Sequence, residues 1–195
     1  MMSMLPERSL NMRLLSRLIG LALIAVPTPA FCALKPGDLA PDFTTAAAVG
    51  GKDFTFALKD ELKKGPVVVY FYPKSFTKGC TIEAHEFADH SDDFAAAGAA
   101  LIGLSADTIE VQREFSTKEC RDKFPVGADA SLTIINAYDA RRDKPSQNGA
   151  VVSDRISYVV TPDGKIGFAL TSSNPVEHVA QTLEFARKWR SEHSK

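Results

Sequence analysis

An α/β domain with a mixed sheet is the fold class this sequence predicts, and three observations predict it. A continuous β-branched and aromatic run, Val67 to Tyr72, is followed by apolar residues at helical spacing and then by a second apolar run, Ala99 to Ser105. That order is a strand–helix–strand unit with parallel strands. Ile156 to Val160, the turn Thr161-Pro-Asp-Gly164 and Ile166 to Leu170 then read as an antiparallel hairpin. The third observation is size: 195 residues, 45% of them apolar, suffice for one good core and argue for a single domain.

The elements follow in order. Leu34 to Phe56 is rich in Gly, Pro, Ala and Thr, with Pro36-Gly37, Pro41-Asp42 and Gly50-Gly51 as turn signals, and reads as an irregular lead-in with a short hairpin. Val67 to Tyr72 has no polar alternation, as expected of a central strand buried on both faces. Ala84, Phe87, Ala88, Ser91, Phe94 and Ala95 mark one face of an amphipathic helix that Gly98 ends. Asp107 or Thr108 caps a helix through Val111 and Phe115 to about Glu119. Pro125 opens a short extended stretch, and Ser131 to Tyr138 carries a further helix. Ala140 to Asp154 is polar and reads as an exposed loop. Asn174-Pro175 starts a C-terminal helix lined by Val176, Val179, Ala180, Leu183 and Ala186.

The formal net charge of −1 and the pI near 6.4 give no electrostatic reason to invoke nucleic acid, and there is no basic stripe. At the N-terminus, Arg13 and Arg17 precede an apolar run, Leu18 to Val26, followed by Pro-Thr-Pro-Ala-Phe-Cys-Ala. That layout predicts a signal peptide over residues 1–33, with Met12 as an alternative start, and a domain over 34–195. The run is far short of the ~20 residues of a membrane-spanning helix, so no stable membrane insertion is expected. The predicted destination is an exported, periplasmic compartment. Bulky Phe31 disfavours a lipid anchor on Cys32.

Cleavage after Ala30 and cleavage after Cys32 both fit the layout; loss of the whole leader, residues 1–33, removes Cys32 and leaves Cys80 and Cys120. Cys80 falls between a strand end and a helix beginning near Gly79, in the first helical turn. There, unpaired backbone N–H groups and the helix dipole favour an anion, so the thiol is expected to ionise readily and act as a nucleophile. Pro73 suits a rigid loop, Thr77 can aim a hydroxyl at the sulfur, and Lys78 and Gly79 add charge and close backbone access.

Pro73-Lys-Ser-Phe-Thr77-Lys-Gly-Cys80 resembles the Pro-x-x-x-Thr-x-x-Cys motif of the peroxiredoxins, and Cys80-Thr-Ile-Glu83 continues it as in the bacterioferritin-comigratory, or Q-type, branch. The likeness takes in Gly37-Asp-Leu-Ala-Pro-Asp-Phe43 and Ser153-Asp-Arg-Ile-Ser-Tyr-Val159. It implies a thioredoxin-like fold, a central mixed sheet flanked by helices on both faces, and a thiol-dependent peroxidase serving antioxidant defence. By that resemblance Cys80 is the peroxidatic cysteine, and Thr77 hydrogen-bonds thiolate and peroxide. Pro73 shields the sulfenic acid, Arg155 stabilises the developing charge, and Glu83 orients the arginine or the loop. A hydroperoxide is the implied substrate, with a thioredoxin-like protein or small thiol as reductant. No metal, flavin or haem signature is present, so no cofactor is expected. Monomer and homodimer are both open.

The chain departs from that pattern at His85, where many Q-type relatives carry a second cysteine. His85 is expected to be a partly exposed helical residue. Cys120, in Ser116-Thr-Lys-Glu-Cys-Arg-Asp-Lys123, is the remaining candidate for the resolving thiol and is expected to be exposed and moderately acidified. A disulfide needs Cα atoms within ~7 Å, so a Cys80–Cys120 bond requires local unwinding. A one-cysteine cycle with an external thiol is the rival. Two further readings are a thioredoxin-like thiol–disulfide oxidoreductase, which the missing Cys-x-x-Cys disfavours, and a binding module with one structural disulfide.

Overall fold

The computed structural model describes residues 33–146 and 149–193; the predicted leader, apart from Ala33, lies outside the described residues. The lead-in runs into a hairpin, β1 (Thr44–Val49) and β2 (Lys52–Ala57), turned by Gly50 and Gly51 at φ 56° and 72°. One turn of helix, α1 (Leu58–Glu61), precedes the central strand β3 (Val67–Phe71), and helices α2 (Lys78–Asp89) and α3 (Ser91–Ala96) lead to β4 (Ala100–Ser105). Helix α4 (Ile109–Lys118), β5 (Val126–Ala128) and α5 (Thr133–Ala137) follow, then the hairpin β6 (Ile156–Val160) and β7 (Ile166–Thr171), and last α6 (Pro175–His193).

The seven strands form one mixed sheet in the order β2-β1-β5-β4-β3-β6-β7. β3, β4 and β5 run parallel, while β6 pairs antiparallel with β3 and β7 with β6. Successive side chains of a strand face opposite ways, so β3 divides its residues between two cores. Val68 and Tyr70 pack with Ala84 and Phe87 of α2, Phe94 of α3, Phe115 of α4 and Val179, Leu183 and Ala186 of α6. Val67, Val69 and Phe71 pack on the other side with Leu58 of α1, Ile134 and Ile135 of α5, and the lead-in's Phe43. The predicted α/β sheet with helices on both faces is what the chain adopts.

Three expectations need correction, and one short helix carries no sequence signal. The single helix predicted across Ala84 to Ala95 breaks at His90 (φ −101°, ψ 7°), whose Nδ1 meets Asp93 Oδ2 at 2.9 Å. The apolar face nevertheless continues, with Phe87 and Phe94 rings 5.8 Å apart. Helix α1, four residues long, is too short to leave a periodic signal. Ala140 to Asp154 is not a wholly exposed loop: Arg141 and Ser153 form a β-bridge at its base, and Ala140, Val152 and Ser153 are buried. On α6 the buried stripe is His178, Val179, Thr182, Leu183 and Ala186, while Val176 and Ala180 face outward. Two polar residues can occupy that stripe because they are bonded inside it. Thr182 Oγ1 donates to the His178 carbonyl at 2.5 Å, and both His178 ring nitrogens have partners.

Candidate active site

Strand β3 ends where Pro73 cannot donate to a ladder, and the chain enters a loop held from beneath. Asp107 Oδ2 accepts the Ser75 N–H at 2.8 Å and the Ser105 hydroxyl at 2.8 Å. Gln112 Nε2 donates to Ser105 Oγ at 2.7 Å, and its Oε1 accepts the Tyr72 hydroxyl at 2.6 Å. Tyr72, Ser75, Ser105 and Gln112 are all buried, so this ring of bonds ties the loop to β4 and α4 in a medium where each bond is well protected. Phe76 takes a left-handed backbone (φ 62°), and its ring stands edge-on to Phe115 at 5.2 Å.

Thr77 is the N-cap of α2 with extended backbone (φ −84°, ψ 148°), but its side chain makes no capping bond. Its hydroxyl donates to the Lys74 carbonyl at 2.9 Å, which fixes the loop, and Thr77 itself is exposed. Pro73 is half-buried at the loop's start. Cys80 is the third residue of α2, 2% exposed, so its sulfur lies over the turn whose amides lack helical partners.

Arg155 reaches that sulfur from the other side of the sequence. β6 pairs with β3 so that Ile156 lies opposite Phe71, and the residue preceding β6 stands beside the loop that leaves β3. Arg155 Nη2 donates to Cys80 Sγ at 3.5 Å, and Nη1 donates to Glu83 Oε2. Gly79 leaves room for this approach, because a Cβ there would stand 3.0 Å from Arg155 Nη2. Burial alone would lower the arginine's proton affinity; Glu83 and Cys80 outweigh it and raise the value. Glu83 is fully enclosed, and burial pushes its carboxyl up to about 8, against the opposing pull of Arg155. The second carboxylate oxygen, Oε1, has no hydrogen-bond partner among the described residues, and His178 Nδ1 stands 4.0 Å away.

The structure therefore brings Cys80, Glu83 and Arg155 together, sets Pro73 and Thr77 in the loop beside them, and adds His178, which the sequence did not single out. His178 Nδ1 pairs with Ser157 Oγ at 2.8 Å and Nε2 with the Ser172 carbonyl at 2.9 Å. Its signal is a histidine four residues before Thr182, on the helix face that Val179, Leu183 and Ala186 complete. His85 is partly exposed, as expected, with Nε2 2.8 Å from Glu119 Oε2.

Cys120 contradicts the expectation of an exposed, acidified thiol. It is 0% exposed, and burial, then Glu119 and Asp122, push its thiol well above the ordinary value. After α4 the chain turns through Arg121 and Asp122, both left-handed at φ 52° and 61°, which sends the basic side chains outward and the sulfur into the core. Arg121 pairs with Asp89, and Lys123 Nζ lies 3.7 Å from Asp92. Cys80 and Cys120 are both free and belong to one apolar cluster, so no structural disulfide joins them.

Comparison with known proteins shows the family and the fold. The model of the AhpC/TSA family matches residues 36–169. The peroxiredoxin candidate Rv2521 of Mycobacterium tuberculosis strain H37Rv is 35% identical over 149 residues, 76% of this chain and 92% of that one. Peroxiredoxin Bcp of Escherichia coli strain K12 is 28% identical over 162 residues, 83% of this chain and 98% of the relative. The crystal structure of peroxidoxin BcpB from Mycobacterium tuberculosis superposes with a TM-score of 0.70 at 29% identity, covering 80% of this chain and 97% of that one. The sheet with helices on both faces is thus the thioredoxin-like fold of these proteins. The chain belongs to the AhpC/TSA family and is a peroxiredoxin, a thiol-dependent peroxidase with relatives in the Bcp and Q branch.

Proposed function

We propose that Cys80 is the peroxidatic cysteine and that Cys120 resolves it within the same chain. The carrying observation is the Arg155 guanidinium, shared between Cys80 Sγ at 3.5 Å and Glu83. It sets a largely enclosed cation against the thiol in the first turn of α2. The thiolate attacks the terminal oxygen of hydrogen peroxide or an organic hydroperoxide. The O–O bond breaks, the leaving oxygen takes a proton, and Cys80 becomes sulfenic acid. Arg155 stabilises the negative charge as it moves from sulfur to the leaving oxygen, and Glu83 keeps the guanidinium in place. Pro73 and Thr77 shape the peroxide side. Thr77 must exchange its bond to Lys74 for one to the substrate.

Cys120 then displaces the sulfenic oxygen as water, giving a Cys80–Cys120 disulfide that a thioredoxin-like protein or small thiol reduces. Membership of both sulfurs in one core cluster supports this pairing. The burial of Cys120 means that the 119–123 turn must move to deliver it. The N-terminal layout, with Arg13 and Arg17 before the apolar run Leu18 to Val26, supports export to the periplasm with removal of a leader within residues 1–33.

The test is one equivalent of hydroperoxide added to the reduced protein, to Cys80→Ser, Cys120→Ser and Arg155→Ala. Cys80→Ser should not consume peroxide, and Arg155→Ala should slow consumption roughly 10²–10³-fold, as loss of a charge-stabilising donor does. Cys120→Ser should consume peroxide but stop at sulfenic or over-oxidised product. Undiminished consumption by Cys80→Ser removes the assignment of the nucleophile. A Cys120 that stays alkylatable after wild-type turnover removes the resolving role.

A further inference from the structure

Tyr70 stands in the middle of β3, 1% exposed, stacked on Phe87 of α2 at 4.4 Å and edge-on to Phe124 at 6.1 Å. Phe87 rides on the helix that carries Cys80, and Phe124 follows the turn that carries Cys120. Phe87 and Phe124 are themselves 6.1 Å apart, so the three rings form one cluster, in the same apolar core as Cys80 and Cys120. Gly103, its partner on β4, makes room for the outer end of the phenol: a Cβ there would come within 2.6 Å of the hydroxyl oxygen. That hydroxyl is enclosed and has no hydrogen-bond partner among the described residues. A phenylalanine would fill the same space without burying an unsatisfied donor, so the fold gains nothing from the oxygen. Burial pushes the phenol well above its ordinary value; Cys120 is the strongest electrostatic neighbour, ahead of Tyr72, Glu83 and Cys80. The group therefore remains a donor wherever a thiolate is present nearby.

We propose that the Tyr70 hydroxyl is the hydrogen-bond donor that receives the Cys120 sulfur as a thiolate when Cys80 sulfenic acid is resolved. The proposal rests on the Cys80–Cys120 cycle above. In the step, Cys120 Sγ–H gives up its proton, and the thiolate's electron pair forms the S–S bond at Cys80 Sγ. The S–O bond of the sulfenic acid breaks, and the departing hydroxide takes the proton to leave as water. The Cys120 sulfur is oxidised and the sulfenic sulfur reduced. Cys120 starts with its thiol held neutral by burial, so a donor aimed at the charged form lowers the cost of the deprotonation. β3 is paired on both sides, with β4 and β6, and keeps the hydroxyl in place while the 119–123 turn moves.

The experiment is a single turnover of wild type and Tyr70→Phe, with one equivalent of hydroperoxide. Peroxide loss and disulfide formation are followed separately by rapid quench and mass spectrometry, and each protein's Tm is recorded. Tyr70→Phe should melt no lower than wild type and consume peroxide at an unchanged rate. It should form the disulfide about tenfold more slowly, the scale of one hydrogen bond to a charged group, and yield more sulfinic product under excess peroxide. An unchanged disulfide rate in Tyr70→Phe, with the disulfide present in wild type, overturns this proposal and leaves the two-cysteine cycle intact. Equal slowing of peroxide loss also overturns it, as it would place the hydroxyl with Cys80 instead. A lower Tm would show that the hydroxyl has a structural partner and would likewise overturn it. No Cys80–Cys120 disulfide in wild type overturns the cycle and this proposal together.

Discussion

Replacing Glu83 by glutamine should flatten the pH dependence of folding stability. The Glu83 carboxyl lies fully enclosed beneath Arg155, and burial raises it from 4.5 to about 8. Because the folded-state value is the higher one, the native protein holds a proton that the unfolded chain releases over that range. The resulting stabilisation is fully present below about pH 4.5 and is lost as pH rises through about 8. At about 1.4 kcal/mol per pH unit, the gap between the two values comes to about 5 kcal/mol across the window. Glu83→Gln keeps the shape and a neutral acceptor for Arg155 but has nothing to titrate. The assay is urea unfolding of both proteins under reducing conditions at intervals from pH 5 to 9. The readout is the change in their stability difference, which cancels groups common to both. Wild type should lose several kcal/mol relative to Glu83→Gln between the ends of the series. Parallel curves would mean that Glu83 stays ionised against Arg155 throughout, and the argument from burial would fail.

Three further outcomes follow from the same geometry. Gly79→Ala should cost about tenfold in kcat/KM, because its Cβ would press on Arg155 Nη2 at 3.0 Å, while Tm stays level or rises since alanine favours a helix; full activity would show that the arginine moves freely. Asp107→Ala removes the acceptor of the Ser75 N–H and the Ser105 hydroxyl, so stability should fall by about 1–3 kcal/mol and amide exchange at Ser75 should rise, checked by hydrogen-exchange NMR. Arg121→Ala frees the Cys120 turn from Asp89 on α2; disulfide formation after peroxide should quicken by a few-fold at most, the scale of an exposed ion pair, and a slower reaction would speak against motion of that turn.

How much was legible in the chain differs from residue to residue. Cys80, Pro73 and Thr77 were found because they act locally: a strand run that stops at a proline, followed by a change of period, already places a thiol in the first turn of a helix. Arg155 was indicated only through family likeness, since its neighbours in sequence say nothing of its distance from position 80. The sequence points to Cys120 as a residue but misleads about its surroundings. The run Lys-Glu-Cys-Arg-Asp-Lys suggested solvent, and only the two left-handed residues that follow show which way the side chains point. The sequence gives no sign of what surrounds His178, because Ser157, Ser172 and Glu83 come from β6, the β7–α6 turn and α2.

By itself, then, the sequence determined the alternation of strands and helices, the central buried strand and the position of the reactive thiol in its helix, since periodicity and turn chemistry act over a few residues. Only the tertiary structure decided what surrounds that thiol. The antiparallel register of Phe71 opposite Ile156 carries Arg155 across 75 residues to the sulfur, the closure of α2 over the sheet buries Glu83, and the turn after α4 hides Cys120. These outcomes depend on which strands pair and which faces meet, and that is settled by burial summed over the whole chain.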